Sequence, residues 1–254
     1  MIRNVLFILS HQDDEMGIFN KIKLNINKKK NVLVFYMTSG YNKSVSKYKV
    51  TKRDYESISV LKQLGVNKKN IFFLGRKNDI KVYQLYRHLY VAYKEILSII
   101  KNLKGNSIIY SHSWEGGNED HDSCHSIMKK LFLKNNTIKK CYQFSLYHGK
   151  NMRFKFFKVQ NLFKKNGKII KDKISFSEKI NFLSYLFYYK TQIKVWIGLY
   201  PFIIINIIFN NYGFVQEINK EMKLQRPHKN KLLYEKMRKN KYSNIISKIN
   251  LFLK

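Results

Sequence analysis

Two short windows of the sequence, residues 11–15 and 115–122, concentrate side chains that could bind a metal ion. Seven of the sixteen acids of the chain fall within them, in a protein whose 49 Lys and Arg residues give a formal net charge of +33. Carboxylates and imidazoles are common ligands of divalent cations. The sequence therefore predicts a divalent metal site to which both windows contribute. The acids and histidines of the two windows are His11, Asp13, Asp14, Glu15, Glu115, Glu119, Asp120, His121 and Asp122.

The spacing of these residues favours a hydrolytic site. His11 and Asp14 are three residues apart, a separation that can bring an imidazole and a carboxylate onto one ion at a turn. A third ligand would come from the second window, where the four-residue spacing of His121 and His125 leaves both eligible on one helix face. Asp13 would be the carboxylate left beside the ion, where it could act as a general base towards water. The alternative is a helix N-terminus whose first turn carries acids because the helix dipole favours them.

Alternating strands and helices are expected to position the two windows. Short apolar runs predict strands, and apolar residues at helical spacing predict the helices between them. Such alternation predicts an α/β fold with a Rossmann-like, doubly wound and mainly parallel sheet. Each window follows directly on a strand, and open sheets of this kind bind ligands beyond the carboxyl ends of their strands. The predicted strands are 3–10, 31–40, 70–75 and 107–113, and the predicted helices are 15–27, 51–65, 80–103 and 121–132.

The second half of the chain has a less regular pattern. We predict an α/β catalytic core over residues 1–140 and, over 141–254, a basic, aromatic-rich C-terminal elaboration of the same domain with a helical, apolar extension. Its expected elements are a strand at 141–148 and a helix at 176–195. The apolar stretch 196–209 has 14 residues, fewer than the about 18 that span a bilayer. This stretch favours a buried helix or a surface-docking element over a membrane span.

Composition indicates which partners the protein is expected to bind and in which cellular compartment it is expected. Only 7 of the 49 basic residues are arginine, and the excess of Lys, Asn and Ile indicates a compositional bias rather than specific recognition of nucleic acid, which depends more on Arg. Two cysteines, Cys124 and Cys141, exclude a disulfide scaffold. The apolar run Val5 to Leu9 is too short for a signal peptide. We expect a cytoplasmic protein, with peripheral association at the inner face of the membrane as a hypothesis, because anionic lipids attract lysines.

Both windows resemble the signatures of a known family. The run His11-Gln12-Asp13-Asp14-Glu15 is similar to the HPDDE motif of the LmbE-like, PIG-L-type metal-dependent deacetylases, which remove N-acetyl groups from amino sugars. The run EGGNEDH at 115–121 resembles their EGGHPDH motif. The resemblance is close over residues 2–130 and looser beyond. Shorter matches to the family are Thr38-Ser39-Gly40, Arg53-x-x-Glu56, Leu64-Gly65-Val66 and Arg226-Pro227-His228 with Leu232-Leu233-Tyr234-Glu235.

The resemblance implies a role for each matching residue. His11, Asp14 and His121 would be the ligands of a zinc ion, although a site of this composition accepts other divalent metals. Asp13 would be the general base that activates water for attack on the acetyl carbonyl. Asp120 would orient the catalytic groups from outside the ligand set.

The resemblance also implies a residue that binds the substrate, and the sequence departs from the family pattern at two positions. Arg53 resembles the arginine that grips the sugar. Asn118 replaces the first histidine of the family's H-x-x-H, and it can donate a hydrogen bond to an oxyanion or to substrate but cannot deliver a proton near neutral pH. His112 or His125 could supply that proton. Gln12 replaces the family proline, a mild change because the ligands on either side are present.

These motifs imply a zinc-dependent N-deacetylase whose partner is an N-acetylated amino sugar, free or linked to a nucleotide, lipid or glycan. Such an activity would serve the biosynthesis of a surface glycan or glycoconjugate. The alternatives are a catalytically weak or inactive module that binds metal and sugar, and a basic protein associated with membrane or nucleic acid. The complete ligand set with Asp13 favours the enzyme, and Asn118 is the feature that favours the module.

Overall fold

The structure, a computed structural model, describes residues 2–41 and 47–254. Strands and helices alternate through its first half, and shorter elements follow. The strands are β1 (Ile2–Leu9), β2 (Asn31–Tyr36), β3 (Ile71–Phe73), β4 (Asn106–His112), β5 (Ile138–Phe144), β6 (Tyr147–His148), β7 (Lys158–Val159), β8 (Ile169–Lys173) and β9 (Tyr212–Ile218). The helices are α1 (Phe19–Asn27), α2 (Lys47–Leu64), α3 (Leu74–Lys77), α4 (Leu89–Ile100), α5 (Glu119–Lys134), α6 (Phe176–Leu186), α7 (Ile193–Gly198), α8 (Tyr200–Phe209), α9 (Leu233–Met237) and α10 (Tyr242–Leu253).

The first five strands form the parallel part of a seven-stranded sheet. The strand order is β3-β2-β1-β4-β5-β9-β8. β1 pairs in parallel with β2 and β4, and β5 pairs in parallel with β4. β9 then runs antiparallel to β5 and to the edge strand β8. This topology confirms the predicted α/β class with a doubly wound, mainly parallel sheet, whose crevice lies beyond the carboxyl ends of β1 and β4.

The sheet is buried on both faces, and β1 shows why its sequence is a continuous apolar run. Leu6 and Ile8 point into one apolar layer, which α4, α5 and α10 cover. Val5, Phe7 and Leu9 point into the other, which α1, α2, α6 and α8 cover. Successive strand residues face opposite sides, so a strand covered on both sides needs apolar residues at every position.

The helix predicted at 80–103 begins only at Leu89. Before it, Tyr83 and Leu85 donate their backbone N–H groups to the carboxylate of Asp120, at 2.6 and 3.1 Å. Tyr83 has a φ of 69°, in the left-handed region that a right-handed helix excludes. The segment that precedes α4 is therefore fixed to the second window by hydrogen bonds that a sequence pattern does not report.

Two predicted elements of the second half are divided in the structure. The strand expected at 141–148 starts earlier, at Ile138, and ends at Phe144, after which the short strand β6 pairs with β7. The helix expected at 176–195 ends at Leu186, and α7 begins at Ile193. Two residues separate β5 from β6, and six separate α6 from α7.

The apolar stretch 196–209 contributes to α7 and forms α8. One side of α8 is buried, with Ile203 and Ile207 facing the core. The other side carries Ile205, which is 54% exposed, and Phe209, which is 80% exposed. Among the residues that the structure describes, no helix has both the length and the apolar character needed to cross a bilayer.

Candidate metal centre

The carboxyl ends of β1 and β4 bring the two windows together. The parallel register pairs Ile8 with Ser111, so the residues that follow each strand lie side by side. The backbone N–H of Ser10 lies 3.3 Å from Nε2 of His112 across this edge. α5 begins at Glu119 and adds the histidine of the second window. The two windows therefore lie together at this edge of the sheet.

His11, Asp14 and His121 form a buried cluster in which one nitrogen or oxygen atom of each residue lies within 4.8 Å of the others. Nδ1 of His11 is 3.5 Å from Oδ2 of Asp14, and Nε2 of His121 is 3.5 Å from Oδ1 of the same carboxylate. These separations suit atoms that each lie about 2 Å from a common ion. The three residues are those that the family resemblance implies as metal ligands.

The chemistry of the cluster fits a divalent cation. His121 is fully buried, and neither of its ring nitrogens has a hydrogen-bond partner. Burial, reinforced by the neighbouring His112, lowers the pKa of His121 to about 3, so its imidazole is neutral and has a lone pair to offer. An unsatisfied buried polar group costs about 1–3 kcal/mol. Coordination to a cation would remove that cost.

Asp14 is the anionic centre of the cluster. Burial alone would raise the pKa of Asp14, but the surrounding His11, His112 and His121 hold it well below its ordinary value. Its Oδ2 also accepts hydrogen bonds from the backbone N–H of His11, at 2.7 Å, and from the hydroxyl of Ser10, at 2.7 Å. A fixed carboxylate among three imidazoles is a strong set of donors for a cation.

Asp120 orients the ring of His11. Its Oδ2 lies 3.0 Å from Nε2 of His11, which leaves Nδ1 of that ring on the side of Asp14. Although burial opposes it, the carboxylates of Asp14 and Asp120 raise the pKa of His11 to about 10. Carboxylates that hold the second nitrogen of a metal-binding imidazole fix its tautomer and raise its basicity.

Asp13 lies beside the ligand cluster on a strained turn. Its φ is 136°, a conformation that side chains rarely adopt. The guanidinium of Arg53 donates from Nη2 to Oδ1 of Asp13 at 3.1 Å and from Nε to the carbonyl of Gln12 at 3.1 Å, and Nη1 donates to the carbonyl of Gly40. Burial raises the pKa of Asp13 to about 7, although Arg53 opposes the shift.

Gln12, the residue in place of the family proline, points away from the cluster. Its Nε2 donates to Oδ1 of Asp54 at 2.9 Å. Asp54 in turn pairs with Arg76, 2.5 Å from Oδ2. The substitution therefore links the first window to α2 and leaves His11 and Asp14 in place.

Asn118 caps α5 and contacts a residue that the sequence analysis did not identify. Its Oδ1 accepts the backbone N–H of Asp120 at 2.9 Å, and its Nδ2 donates to the hydroxyl of Tyr147 at 3.1 Å. The ring of Tyr147 stands edge-on to His121, with centroids 5.2 Å apart. Burial raises the pKa of Tyr147 well above its ordinary value, so the hydroxyl keeps its proton. The only local signal was its place at the end of the strand predicted at 141–148.

The remaining acids of the second window build the frame that holds Tyr147. Glu115 accepts the backbone N–H groups of Leu146 and Tyr147, each at 3.2 Å. Asp122 accepts those of Glu115 and Gly116, also at 3.2 Å. A Cβ on Gly117 would lie 1.9 Å from the carbonyl oxygen of Tyr147, so only glycine permits this approach. These acids bind backbone rather than facing the cavity.

The C-terminal motif, residues 226–235, contacts the second window. Arg226 pairs with Glu235 at 2.5 Å, and the backbone N–H of Leu233 donates to the carbonyl of Gly116 at 3.0 Å. Nη2 of Arg238 lies 2.6 Å from Oε2 of the fully buried Glu119. The N-terminus of α5 is therefore held by residues more than a hundred positions away.

The two histidines that could supply a proton differ in position. His112 stacks on His121 with ring centroids 3.9 Å apart, and its Nε2 is 3.1 Å from Oδ2 of Asp14. His125, which spacing alone left eligible as a ligand, lies outside the ligand cluster. Its Nδ1 is 3.0 Å from the carbonyl oxygen of His112, and it packs near Trp114. His112 thus belongs to the site and His125 supports it from the core.

A cavity of about 320 Å³ opens beside the ligand cluster. Its volume is at the lower end of the about 300–1,000 Å³ typical of small-ligand pockets. Asp13 and Arg53 line one part, and Asn118 and Tyr147 line another. Val195 and Leu199, from α7 and the residue that follows it, add an apolar border.

The fold and this site place the chain among the PIG-L proteins. The family model described as GlcNAc-PI de-N-acetylase matches residues 6–132, half of the chain. The chain therefore belongs to this family, as the two motifs indicate. No curated protein matches the chain in sequence.

Several solved structures of deacetylases share the fold. The zinc-inhibited form of teicoplanin deacetylase superposes with a TM-score of 0.59 at 14% identity, covering 85% of this chain and 98% of that one. The N,N'-diacetylchitobiose deacetylase of Pyrococcus horikoshii gives 0.59 at 15% identity, covering 86% and 84%. The A40926 pseudoaglycone deacetylase gives 0.58 at 13% identity, covering 86% and 98%. At these identities the likeness establishes the common fold.

Proposed function

We propose that this protein is a zinc-dependent hydrolase that removes the N-acetyl group from an amino sugar. The observation that carries the proposal is the buried cluster of His11, Asp14 and His121, with Asp13 on the wall of the same cavity. Membership of the PIG-L family supports an N-acetylated sugar as the substrate class. The sugar would be free or linked to a nucleotide, lipid or glycan, within the synthesis of a surface glycan or glycoconjugate.

Asp13 is the group placed to move the proton of the attacking water. A zinc ion held by His11, Asp14 and His121 would polarise the acetyl carbonyl and acidify water. Asp13 would take a proton from the water as its oxygen bonds to the carbonyl carbon. When the carbon–nitrogen bond breaks, the same carboxyl group would return that proton to the departing amine, so that acetate and the free amino sugar are formed. Arg53, which donates to Asp13 at 3.1 Å, would hold the carboxylate in position.

Tyr147 and Asn118 would stabilise the oxyanion of the tetrahedral intermediate. Nδ2 of Asn118 already donates to the hydroxyl oxygen of Tyr147, so the hydroxyl proton can point towards a ligand in the cavity. A protonated tyrosine is a hydrogen-bond donor. A preorganised donor of this kind accelerates acyl transfer about 10²–10³-fold. This pair would replace the histidine that the family carries at position 118.

Two polar residues that line the cavity suggest how a sugar would be held. Arg53 has further N–H groups besides those bonded to Asp13, Gln12 and Gly40, and a guanidinium can donate to sugar hydroxyls. Asn118 also lines the cavity. Substrate binding would therefore use one polar residue from α2 and one from the N-terminus of α5.

The proposal is tested by measuring the metal content of the purified protein together with acetate release from N-acetylglucosamine and from its uridine diphosphate derivative. We expect about one zinc per chain and acetate release that stops in Asp13→Asn while the zinc remains. The matched control is Asp79→Asn, the same change at an exposed carboxylate outside the cavity. Absence of bound metal, from a protein loaded with zinc or another divalent ion, would overturn the proposal.

Asn118 favours one second candidate, a module that binds metal and sugar without turnover. Under that alternative the protein would hold zinc, and neither Asp13→Asn nor Tyr147→Phe would change any measured property besides sugar affinity. Isothermal titration with N-acetylglucosamine, alongside the acetate assay, separates the two candidates. Sugar binding by the zinc-loaded protein with no acetate formed from any N-acyl sugar would favour the module.

A further inference from the structure

The exposed apolar side chains of this protein are concentrated on one part of its surface. Of the nineteen large apolar residues that are exposed in the described chain, twelve lie between positions 154 and 212, which is less than a quarter of the sequence. Large exposed apolar patches on a protein mark a surface that binds a partner or a membrane. We therefore expect a partner or a membrane to cover this part of the surface.

Two neighbouring helices, α6 and α8, carry six of these twelve side chains. On α6, Phe176 and Ile180 are 79% and 52% exposed, four residues apart on one side of the helix. On α8, Ile205 and Phe209 have the same four-residue spacing on its outer side. The helices are held together by Lys179, whose Nζ donates to the carbonyl of Ile208 at 2.9 Å. Their inner sides share one apolar layer of the core, so their outer sides face solvent together.

A basic loop extends the surface beside α8. The rings of Phe157 and Phe202 contact each other with centroids 5.2 Å apart, which places the loop 149–157 against α8. At the tip of this loop Phe154 is 80% exposed. Residues 149–171 contain eight Lys and Arg and no acid, and residues 179–216 also contain no acid. Of the two acids between these segments, Asp172 pairs with Lys21, and Glu178 accepts a hydrogen bond from Ser175 at the N-terminus of α6. We call the outer sides of α6 and α8 with this loop the apolar-basic face.

We propose that the apolar-basic face docks on the surface of an anionic lipid bilayer. Interfacial helices bury an apolar side below the headgroups and hold basic residues against anionic lipid. α8 has only 10 residues, so it would lie in the interface rather than cross it. A second copy of this chain is the other occupant to consider, but it would bring another chain of net charge +33 and the same acid-free segments against this face.

Docking would also place the cavity at the membrane. α8 follows directly on α7, whose Val195 lines the cavity of the metal centre together with Leu199. Seating α8 in the interface would hold this apolar border of the cavity close to the headgroups. If the proposed deacetylation is correct, an amino sugar attached to lipid would meet the site without leaving the membrane, and only this consequence rests on the proposed function.

The test is flotation of the whole protein with vesicles of phosphatidylcholine alone or mixed with phosphatidylglycerol. We expect partition onto the mixed vesicles that weakens as salt is added, and little partition onto phosphatidylcholine. The double variant Ile205→Asp with Phe209→Asp should weaken partition at least about a hundredfold, because two apolar side chains leave the interface and each is replaced by a carboxylate that anionic lipid repels. The charge-matched control is Val91→Asp with Leu251→Asp, at exposed positions on α4 and α10 on the other side of the sheet.

Three outcomes would overturn the proposal. Wild-type protein that stays away from both vesicles has no membrane-docking face. Equal loss of partition in the control pair shows that charge alone, not this face, decides binding. A dimer in light scattering that the Ile205→Asp, Phe209→Asp pair converts to a monomer shows that a second copy covers the face. Thermal melting confirms that the variants are folded, and acetate release is measured separately, so failure of the enzyme and failure of docking are distinguishable.

Discussion

The two acidic windows have similar compositions, yet their side chains contact different groups. In the first window, Asp13 and Asp14 line the cavity, and Asp14 lies among three imidazoles. In the second, Glu115 and Asp122 accept backbone N–H groups, and Glu119 pairs with Arg238. The first window supplies groups that could react, and most acids of the second hold the N-terminus of α5, which carries His121, and the backbone at Tyr147.

The difference shows that an enrichment of acids locates a site without assigning roles within it. Roles follow from what each carboxylate contacts. Burial raises the pKa of Asp122 well above its ordinary value, and its Oδ1 accepts the backbone N–H groups of Glu115 and Gly116. Asp14, equally buried, remains charged because of the histidines around it. We call residues 11–15 the reacting window and residues 115–122 the framing window. The variants described next test this division of roles.

The largest effect is expected from Asp14→Ala, which removes the anionic member of the ligand cluster. The variant should lose bound zinc and reduce acetate release to background, because a site with two neutral imidazoles binds cations weakly. Metal content by mass spectrometry is the measurement. Glu15→Gln, a change at the neighbouring carboxylate that pairs with Tyr189, should keep its zinc. Full metal loading of Asp14→Ala would remove this residue from the ligand set.

Glu119→Ala should produce the largest loss of stability in the framing window. It leaves Arg238, which is 17% exposed at its side chain, without its buried partner. Breaking a buried ion pair by removing one member costs about 3–5 kcal/mol. Urea denaturation measures the free energy of unfolding. Glu95→Ala breaks the solvent-exposed pair with Lys77 and should cost less than about 1 kcal/mol, and an equal cost for both would contradict the framing role.

Tyr147→Phe separates the hydroxyl from the ring that the framing window holds. Loss of the proposed oxyanion donor should lower kcat about 10²–10³-fold, while KM changes little. Zinc content and melting temperature should stay unchanged, since the ring still packs beside His121. Steady-state kinetics of acetate release provide the measurement. An unchanged kcat would assign the residue to packing alone.

Asp120→Asn tests the one acid of the second window that contacts a ligand of the first. Weaker support of His11 should reduce zinc affinity about 10–100-fold, measured by competition with a chelating dye. The matched control is Asp122→Asn, two positions along the same helix. Its amide can accept the same backbone hydrogen bonds from Glu115 and Gly116, so zinc affinity should not change. Similar losses in both variants would mean that the effect is a general loosening of α5.

The smallest effect is expected from Gln12→Pro, which restores the family residue. The hydrogen bond from Gln12 to Asp54 would be lost, at a cost of about 1 kcal/mol. Asp54 keeps its pair with Arg76, and the ligands on either side of position 12 are unchanged. Acetate release should stay within a few-fold of the wild-type rate. A large fall in activity would show that Gln12 shapes the turn that carries Asp13.

Much of the fold and the position of the site follow from local sequence patterns. The continuous apolar run of β1 and the helical periodicity of α2 are patterns within a few residues of the chain. β1 lies within one residue of its predicted bounds, and α2 begins four residues before its predicted start and ends one residue before its predicted end. Tyr147 could not be found in this way, because its role depends on Asn118 and Glu115, which reach it through the fold. The same limit applies to Tyr83, whose left-handed backbone is set by the distant Asp120.

The residues that surround the candidate metal centre are far apart in the sequence, so they are synthesised at different times. His11 and Asp120 are separated by 109 positions, and Glu119 and Arg238 by 119. At about 5–20 residues per second, a ribosome has released the first window many seconds before it synthesises Arg238. The frame around the candidate metal centre is therefore completed only after the C-terminal segment has been synthesised, so the early carboxylates and imidazoles are positioned late in biogenesis.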